Sequence, residues 1–273
     1  MEIARTLMVI FDQRSYSFTL FEDLKNALSI STGNTFNIDE NVKLDVDILI
    51  TIGGDGTILN TMPLIVGSNI PILGINTGRL GFLTSITVAE IDEILDEIAA
   101  NVHQVETRSL LQMNSSRNIG DRFNIALNEI SVLKKDSSSM ITIHAELDGS
   151  FLNTYWADGL IISTPTGSTA YSLSCGGPLV SPGSGNFIVT PIAPHNLNVR
   201  PLVVPDTSEI KLKFETRSSD LLVALDSNTE IIPDDIEITI KKAVHRIGLL
   251  RMKKYSYLET LRHKMNWGLD LRN

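Results

Sequence analysis

Three glycines and an aspartate form a short turn between an apolar segment and a helical pattern. The turn is Gly53-Gly54-Asp55-Gly56-Thr57, and it separates apolar residues 46–52 from helical spacing over 58–65. In open α/β sheets, ligands bind beyond the carboxyl ends of the strands, and N–H groups at the start of a following helix can receive phosphate. Glycines alone would fit a tight turn, but a carboxylate among phosphate-binding groups would be repelled unless it binds a metal, a hydroxyl or a cation. The turn therefore favours a functional site in an α/β sheet.

The first hundred residues alternate short apolar runs with helical periodicity. Segments 7–11, 46–52 and 70–75 are typical of buried strands, and apolar residues recur at helix spacing over 20–28. Thr87 followed by Glu90 predicts a capping box that precedes an amphipathic helix. These patterns predict an open α/β domain of the Rossmann-like type.

After Gln104 the apolar period changes to two, which is typical of strands with one buried face. Residues 141–147 alternate in this way, and Asp148-Gly149 then predicts a hairpin. Further alternation covers 209–215 and 235–242. The change of period predicts a β-rich, sandwich-like domain after the α/β domain.

The predicted domain organisation has three parts. A length of 273 residues exceeds the usual size of a single domain. We assign 1–104 to the α/β domain and 105–256 to the β-rich domain. Apolar residues at helix-like intervals over 257–271 predict a terminal helical segment, 257–273, that packs back on the first domain.

Charge and cysteine content exclude several classes of function. Thirty-two acidic and 23 basic residues give a formal charge of -9, which offers no electrostatic footprint for nucleic acid or an anionic membrane. The five histidines lack the paired spacing of a zinc site, so no protein metal ligands are predicted. The apolar run 7–11 is too short for a signal peptide or a membrane span, and a single cysteine, Cys175, favours a reducing cytoplasm.

Three further segments carry groups suited to a small ligand. The glycine-rich segment 74–83 includes Phe82, which could stack on a base, although a lone Phe is more often a core residue. Asn128-Glu129 could bind ribose hydroxyls, although on its own an exposed strand end explains the pair better. Segment 158–178 is dense in hydroxyl side chains, with glycine and proline at its turns. The Walker phosphate loop, the G-x-G-x-x-G fingerprint and the G-x-S-x-G elbow are all absent.

These segments, in this order and spacing, closely resemble the NAD kinases over most of the chain. The glycine-aspartate turn alone is shared with diacylglycerol and sphingosine kinases and phosphofructokinases. The Asn128-Glu129 pair and the loop 164–171 (Thr-Pro-Thr-Gly-Ser-Thr-Ala-Tyr) are more particular to NAD kinases, and Pro194-His195 with Arg200-Pro201 adds to the match. Two residues depart from the family pattern: Cys175 replaces a common alanine, and Ser227 replaces a common glycine after Asp226.

The resemblance implies transfer of the γ-phosphoryl group of ATP to the 2′-hydroxyl of the adenosine ribose of NAD, with Mg²⁺ as the accompanying ion. Asp55 would engage the accepting hydroxyl, and Phe82 would contact the adenine. Asn128 and Glu129 would hold the ribose and adenine side, and Asp158 would bind the far end of the dinucleotide, in a neighbouring subunit of a homodimer or homotetramer. The other implied binding residues are Gly54, Gly56, Thr57, Thr169, Ala170, Tyr171, Ser174, Ile192 and Pro194.

Two other classes of protein share part of the pattern. A lipid kinase would share the first turn but would need an apolar cleft for an acyl chain, which the polar segment 163–174 argues against. A non-catalytic dinucleotide-binding module would keep the pocket without turnover, but binding alone does not require the Asp55 carboxylate beside the phosphates. The donor, ATP or polyphosphate, and the use of NADH stay open at this point.

Overall fold

The computed structural model of the chain describes residues 1–31, 33, 35–36, 45–78, 81–117, 124–136 and 140–266. The α-helices are α1 (Glu2–Gln13), α2 (Glu22–Leu28), α3 (Asp55–Ile65), α4 (Ile91–Ala99), α5 (Tyr171–Ser174) and α6 (Tyr257–Met265). The strands are β1 (Leu20–Phe21), β2 (Thr35–Phe36), β3 (Leu49–Gly53), β4 (Ile72–Asn76), β5 (Ile86–Thr87), β6 (Gln104–Ser115), β7 (Ile125–Ala126), β8 (Glu129–Lys134), β9 (Ile141–Leu147), β10 (Ser150–Ala157), β11 (Gly159–Ser163), β12 (Asn186–Ile192), β13 (Leu202–Pro205), β14 (Ile210–Glu215), β15 (Asp220–Leu225), β16 (Asn228–Pro233) and β17 (Ile238–Arg251). In these described residues, no helix combines the length and apolar content needed to cross a bilayer.

The chain forms two compact units, one of Met1–Glu106 with Gly248–Asn273 and one of Thr107–Ile247. We call them the first unit and the second unit. Strand β17 accounts for the return of the chain, because it begins in the second unit and ends in the first. Residues 248–256, which the sequence pattern assigns to the β-rich domain, therefore belong with the first unit, as does α6.

The first unit is built on parallel strand pairing. β3 lies beside β4, with Leu49 opposite Ile72, and Leu249 at the end of β17 is a further parallel partner of Ile72. β5 pairs with the end of β4. Helices α3 and α4 follow β3 and β5, and the core of the unit includes Ile75 of β4 and Ile94 of α4. This alternation confirms the predicted open α/β domain.

The N-terminal segment corrects one predicted element. Residues 7–11, predicted as a strand, lie inside helix α1. The inward side chains recur at helical spacing, and they are Ile3, Ala4, Leu7, Ile10 and Phe11. Val9 is exposed, so the unbroken apolar run from Leu7 to Phe11 concealed a helical period that begins earlier.

The second unit is a β-sandwich. One antiparallel sheet contains β10, β9, β14 and β17 in that order, and the other contains β13, β12, β11, β8, β15 and β16. Alternate residues of the two sheets share one core, with Ile141 and Ile143 from β9 and Leu160 and Ile162 from β11. The predicted β-rich, sandwich-like domain is confirmed.

Two turn predictions are also confirmed. Asp148 and Gly149 connect β9 to β10 with φ of 52° and 77°, the left-handed conformation that two-residue hairpin turns use. Thr87 and Glu90 form the reciprocal capping box, in which the Thr87 N–H and hydroxyl both donate to Glu90 Oε2, at 2.9 and 2.7 Å. The box precedes α4 as the spacing predicts.

Candidate active site

The glycine-aspartate turn lies between β3 and α3. Gly53 ends the strand, Gly54 is extended with φ -104° and ψ -171°, and Asp55 is the first residue of the helix. A Cβ on Gly53 would overlap the Thr57 hydroxyl, so close approach requires glycine there. Gly54 and Gly56 have open space where a side chain would project. The first N–H groups of α3 therefore have room for a ligand such as phosphate.

Asp55 fastens the second glycine-rich loop to this turn. Its Oδ2 accepts from Phe82 N at 2.8 Å, and its Oδ1 accepts from Leu83 N and Thr84 N, each at 3.0 Å, and from Thr84 Oγ1 at 2.9 Å. A Cβ on Gly81 would lie 2.7 Å from Asp55 Cγ, so this loop position also requires glycine. The carboxylate has a fixed orientation, and the sequence-predicted residues Asp55 and Phe82 are neighbours.

Phe82 is held from two further directions. The buried Arg251 donates from Nη2 to the Phe82 carbonyl at 2.6 Å, and its Nε lies 3.4 Å from Glu106 Oε2. The ammonium of Lys264, on α6, lies 5.4 Å from the centre of the Phe82 ring. The peptide groups of Phe82 are thus fixed by Asp55 and Arg251, and the terminal helix reaches its ring.

In the second unit, Asn128 and Glu129 lie at the start of β8. Their relative exposures are 9% and 8%, so the pair is buried and the interpretation as an exposed strand end is wrong. Asp226 lies against this segment and accepts hydrogen bonds from the backbone N–H groups of Leu127 at 2.8 Å, Asn128 at 2.7 Å and Glu129 at 3.1 Å. These bonds satisfy the buried backbone where β8 begins.

Glu129 has an unusual electrostatic environment. Burial first, and then the negative charge of Asp226, raise the pKa of Glu129 to about 8. Its Oε2 is buried and has no hydrogen-bond partner among the described residues. A buried carboxyl group with an unused oxygen is suited to bind a hydroxyl of a ligand.

In the hydroxyl-rich segment 158–178, several side chains form hydrogen bonds to backbone groups of the second unit. Thr164 Oγ1 donates to the Leu127 carbonyl at 2.6 Å and accepts from Gly167 N at 3.1 Å, and Thr169 Oγ1 donates to the Thr166 carbonyl at 3.2 Å. A Cβ on Gly167 would overlap the Asn128 carbonyl, so the segment lies tightly against the start of β8. The Thr164 and Thr169 hydroxyls therefore bond within the second unit, while the side chains of Ser174 and Tyr171 are exposed.

Tyr171 belongs to the same group of titratable side chains as Glu129. Burial raises its pKa, and the nearby charges of Cys175, Asp158 and Glu129 raise it further. Asp158 is paired with Lys134 Nζ at 2.6 Å. The predicted residues of this region are connected in the second unit: Asp158 N donates to the Ile192 carbonyl at 2.9 Å, and the short connection through Ala170 joins Thr169 to α5. Pro194 is two residues beyond the end of β12.

Sequence reasoning missed Asp226, Arg251 and Lys264. Asp226 is 99 residues from Leu127 in the chain, and Arg251 is 169 residues from Phe82. Local periodicity carries no signal for such contacts. For Asp226, the sequence indicates only a turn between two alternating segments and a place beside Ser227 in the family pattern, and neither assigns it a role.

No group of three or more histidine, cysteine or acidic side chains that could hold a metal ion occurs in the described part of the chain. Magnesium is commonly bound through substrate phosphates together with one or two carboxylates and water, so it requires no such group.

Both halves of the chain match sequence models of one family. The ATP-NAD kinase N-terminal domain matches residues 10–103, and the ATP-NAD kinase C-terminal domain matches residues 127–252. The chain belongs to the NAD kinase family. Among similar NAD kinases, that of Cytophaga hutchinsonii is 51% identical over 83% of this chain and 78% of its own length. That of Christiangramia forsetii is 44% identical over 98% of this chain and 93% of its own length.

Solved structures of the family have the same fold. Yeast NADH kinase complexed with NADH superimposes with a TM-score of 0.89 over 99% of this chain and 85% of the yeast chain, at 23% identity. An NAD kinase from Archaeoglobus fulgidus in complex with ATP superimposes with a TM-score of 0.71 over 90% of this chain and 94% of the archaeal chain, at 29% identity.

Proposed function

We infer that this chain is a phosphotransferase that converts NAD to NADP, transferring the γ-phosphoryl group of ATP to the 2′-hydroxyl of the adenosine ribose. The observation that carries this inference is the match of both family domains across 10–103 and 127–252, which contain Asp55 and the Asn128-Glu129 pair. Neither a lipid kinase nor a binding-only module is favoured by these matches.

Asp55 is the proposed catalytic residue. A carboxylate has about four sites for hydrogen-bond donors, and Asp55 uses three on Oδ1 and one on Oδ2. Oδ2 therefore retains a site for the 2′-hydroxyl. As the bond from the 2′-oxygen to the γ-phosphorus forms and the bond from that phosphorus to ADP breaks, Oδ2 accepts the hydroxyl proton.

The start of α3 is the proposed site for the phosphates of ATP. Gly54 and Gly56 leave space beside the turn, and the positive end of the α3 dipole favours negative charge there. The Thr57 N–H already donates to the Gly54 carbonyl at 3.0 Å, so Thr57 is proposed to shape the turn. Magnesium, arriving with ATP, would neutralise charge that develops on the phosphates. Phe82, fixed by Asp55 and Arg251, is proposed to contact the adenine ring.

The second unit is proposed to bind the dinucleotide. The buried, unpartnered Oε2 of Glu129 supports a role for Asn128 and Glu129 in holding ribose hydroxyls. The exposed Tyr171 supports a contact with the adenosine half. We extend the same role to Asp158, which would bind the far end of the dinucleotide, and to the pocket residues Thr169, Ala170, Ser174, Ile192 and Pro194.

Self-association into a homodimer or homotetramer is a further proposal. In the described residues, β10 and β13 are edge strands, and the second unit exposes large apolar side chains at these strands or close to them: Phe151, Trp156, Leu197, Leu202 and Val203. Light scattering after gel filtration tests this directly, and a mass of one chain at all concentrations would contradict it. The cytoplasmic location stays a prediction.

A coupled assay tests the activity. The purified chain is incubated with ATP, Mg²⁺ and NAD, and NADP is read by an NADP-specific dehydrogenase. We expect NADP formation that requires all three components. In parallel reactions, NADH replaces NAD as the acceptor and polyphosphate replaces ATP as the donor. Diacylglycerol in place of NAD is the control acceptor. Phosphorylation of the lipid without NADP formation would refute the assignment.

A further inference from the structure

Asp226 occupies a strained turn whose side chain points back to the start of β8. It lies between β15 and β16 and has a φ of 52°, which is uncommon for a residue with a side chain. Its own backbone N–H donates to the Glu129 carbonyl at 3.0 Å, in addition to the three bonds that its carboxylate accepts. The turn and the first residues of β8 are thus joined by four hydrogen bonds.

The segment 127–129 is bound on its other side by the hydroxyl-rich loop. Thr164 Oγ1 donates to the Leu127 carbonyl at 2.6 Å, and Thr164 N donates to the Asn128 carbonyl at 2.9 Å. The loop therefore binds carbonyl groups of the segment, while Asp226 binds its N–H groups. Without Asp226, the three N–H groups would lose the acceptor that fixes the direction of the Asn128 and Glu129 side chains.

We propose that Asp226 is a positioning residue for dinucleotide binding, which holds residues 127–129 so that Asn128 and Glu129 present their side chains to NAD. The inference rests on the proposed function, since it takes these two residues as NAD-binding. Asp226 itself touches no substrate; it acts through the backbone of the segment and through its charge on Glu129.

The charge of Asp226 provides a signature that a purely structural residue would not give. The titratable groups that face Glu129 are Asp226, Tyr171 and Cys175, with Asp158 next to Tyr171. None of them is a cation. With a pKa of about 8, only about a tenth of Glu129 is ionised at pH 7. Burial raises the pKa of Asp226 as well, and its three backbone hydrogen bonds oppose that rise.

Binding of NAD should therefore release a proton. Ribose hydroxyls that donate to Glu129 favour its ionised form, because hydrogen bonds to a charged group are stronger than bonds to a neutral one. The affinity for NAD then rises with pH up to about 8, by at most about tenfold per pH unit. Above pH 8 Glu129 is ionised in both states, so the affinity becomes nearly independent of pH.

Isothermal titration of NAD into the full chain, at pH 7 and pH 9 and in buffers of different ionisation enthalpy, tests the proposal. Asp226→Asn keeps the shape but removes the charge and directs its amide N–H toward the Leu127 N–H. At pH 9 we expect this variant to bind NAD about tenfold more weakly than wild type, because one buried hydrogen bond to the segment is lost. At pH 7 its proton release should be smaller than that of wild type, because loss of the Asp226 charge lowers the pKa of Glu129 while burial still raises it.

Two further variants complete the experiment. Asp226→Glu keeps the negative charge but lengthens the side chain, so it should keep the proton release at pH 7 and still bind NAD more weakly than wild type at pH 9. If Asp226→Asn does not fold, the result for Asp226→Glu tests the proposal in its place. Asp220→Asn, at the start of β15, removes a carboxylate that pairs with the exposed Lys135 and should match wild type. Wild-type affinity and wild-type proton release in Asp226→Asn would overturn the proposal. Wild type that binds no NAD would instead refute the proposed function.

Discussion

Gly81→Ala tests the arrangement around Asp55 by adding one methyl group. The new Cβ would lie 2.7 Å from Asp55 Cγ, and closer still to Asp55 Oδ1 and Thr84 Oγ1. Ordinary carbon contacts are about 3.5 Å, so the carboxylate or the loop must move by at least about 0.8 Å. A misplacement of about 1 Å can reduce turnover by about 10²-fold. We expect a loss of that size in kcat for NADP formation.

Gly78→Ala is the matched control for this prediction. A Cβ on Gly78 meets nothing within 4 Å, and the residue lies in the same glycine-rich loop. We expect its turnover to stay within about twofold of wild type and its stability within about 0.5 kcal/mol, as for other substitutions at open positions. A Gly81→Ala enzyme with wild-type kcat, measured beside this control, would refute the argument that Asp55 is held by close approach of the loop.

Two further predictions concern stability of the first unit. Leu261→Ala should lower the free energy of unfolding by about 2–5 kcal/mol, because Leu261 of α6 is 2% exposed. Leu258→Ala on the same helix should change it by less than about 0.5 kcal/mol, because Leu258 is 58% exposed. Thermal denaturation compares the two variants, and equal melting temperatures would contradict the packing of α6. Burial opposes ionisation of Glu90, but hydrogen bonds from Tyr255, Thr87 and Lys254 outweigh it and lower its pKa from 4.5 to about 2. Its ionised form therefore stabilises the fold above pH 4.5, and this contribution is lost as the pH falls toward 2. Glu90→Gln should cost up to about 3 kcal/mol at pH 7 in urea denaturation and much less at pH 2, and a pH-independent difference would contradict this origin.

The fold class followed from the sequence because periodicity is a local property. A period of two identifies β9, and the Asp148-Gly149 signal identifies its hairpin. The capping box at Thr87 was equally local. Helix α1 was mistaken for a strand because Met8 and Val9 extend the apolar run and hide the inward-facing positions.

The environment of the candidate site could not be predicted in the same way. The sequence indicates that Asp55 is chemically important, but the donors to its carboxylate are 27 to 29 residues further along the chain. Asn128 and Glu129 are buried beside Asp226, which is 97 to 99 residues away from residues 127–129 in the chain. Burial, and then the negative charge of Asp226, raise the pKa of Glu129. Such properties arise from packing of distant segments, which no window of sequence contains.

Asp55 fixes the loop and is also the proposed proton acceptor, so its variant needs a control. Asp55→Asn removes the proton acceptor, but it also places an amide N–H near the Phe82 N–H and so weakens the loop. Thr84→Val removes the hydroxyl bond to Asp55 and the bond that the same hydroxyl accepts from Asn76 at 2.9 Å, while the carboxylate remains, so it reports the effect of a weakened loop. Thr84→Val should reduce turnover by much less than Asp55→Asn.

The most direct test of the account is the turnover of Asp55→Asn with ATP, Mg²⁺ and NAD, measured together with its affinity for NAD. Loss of a general base typically reduces the rate by about 10²-fold or more. We predict a fall of at least that size in kcat, with NAD binding within a few-fold of wild type. Near-full NADP formation by Asp55→Asn would make Asp55 a structural residue of the turn and would contradict its proposed role in phosphoryl transfer.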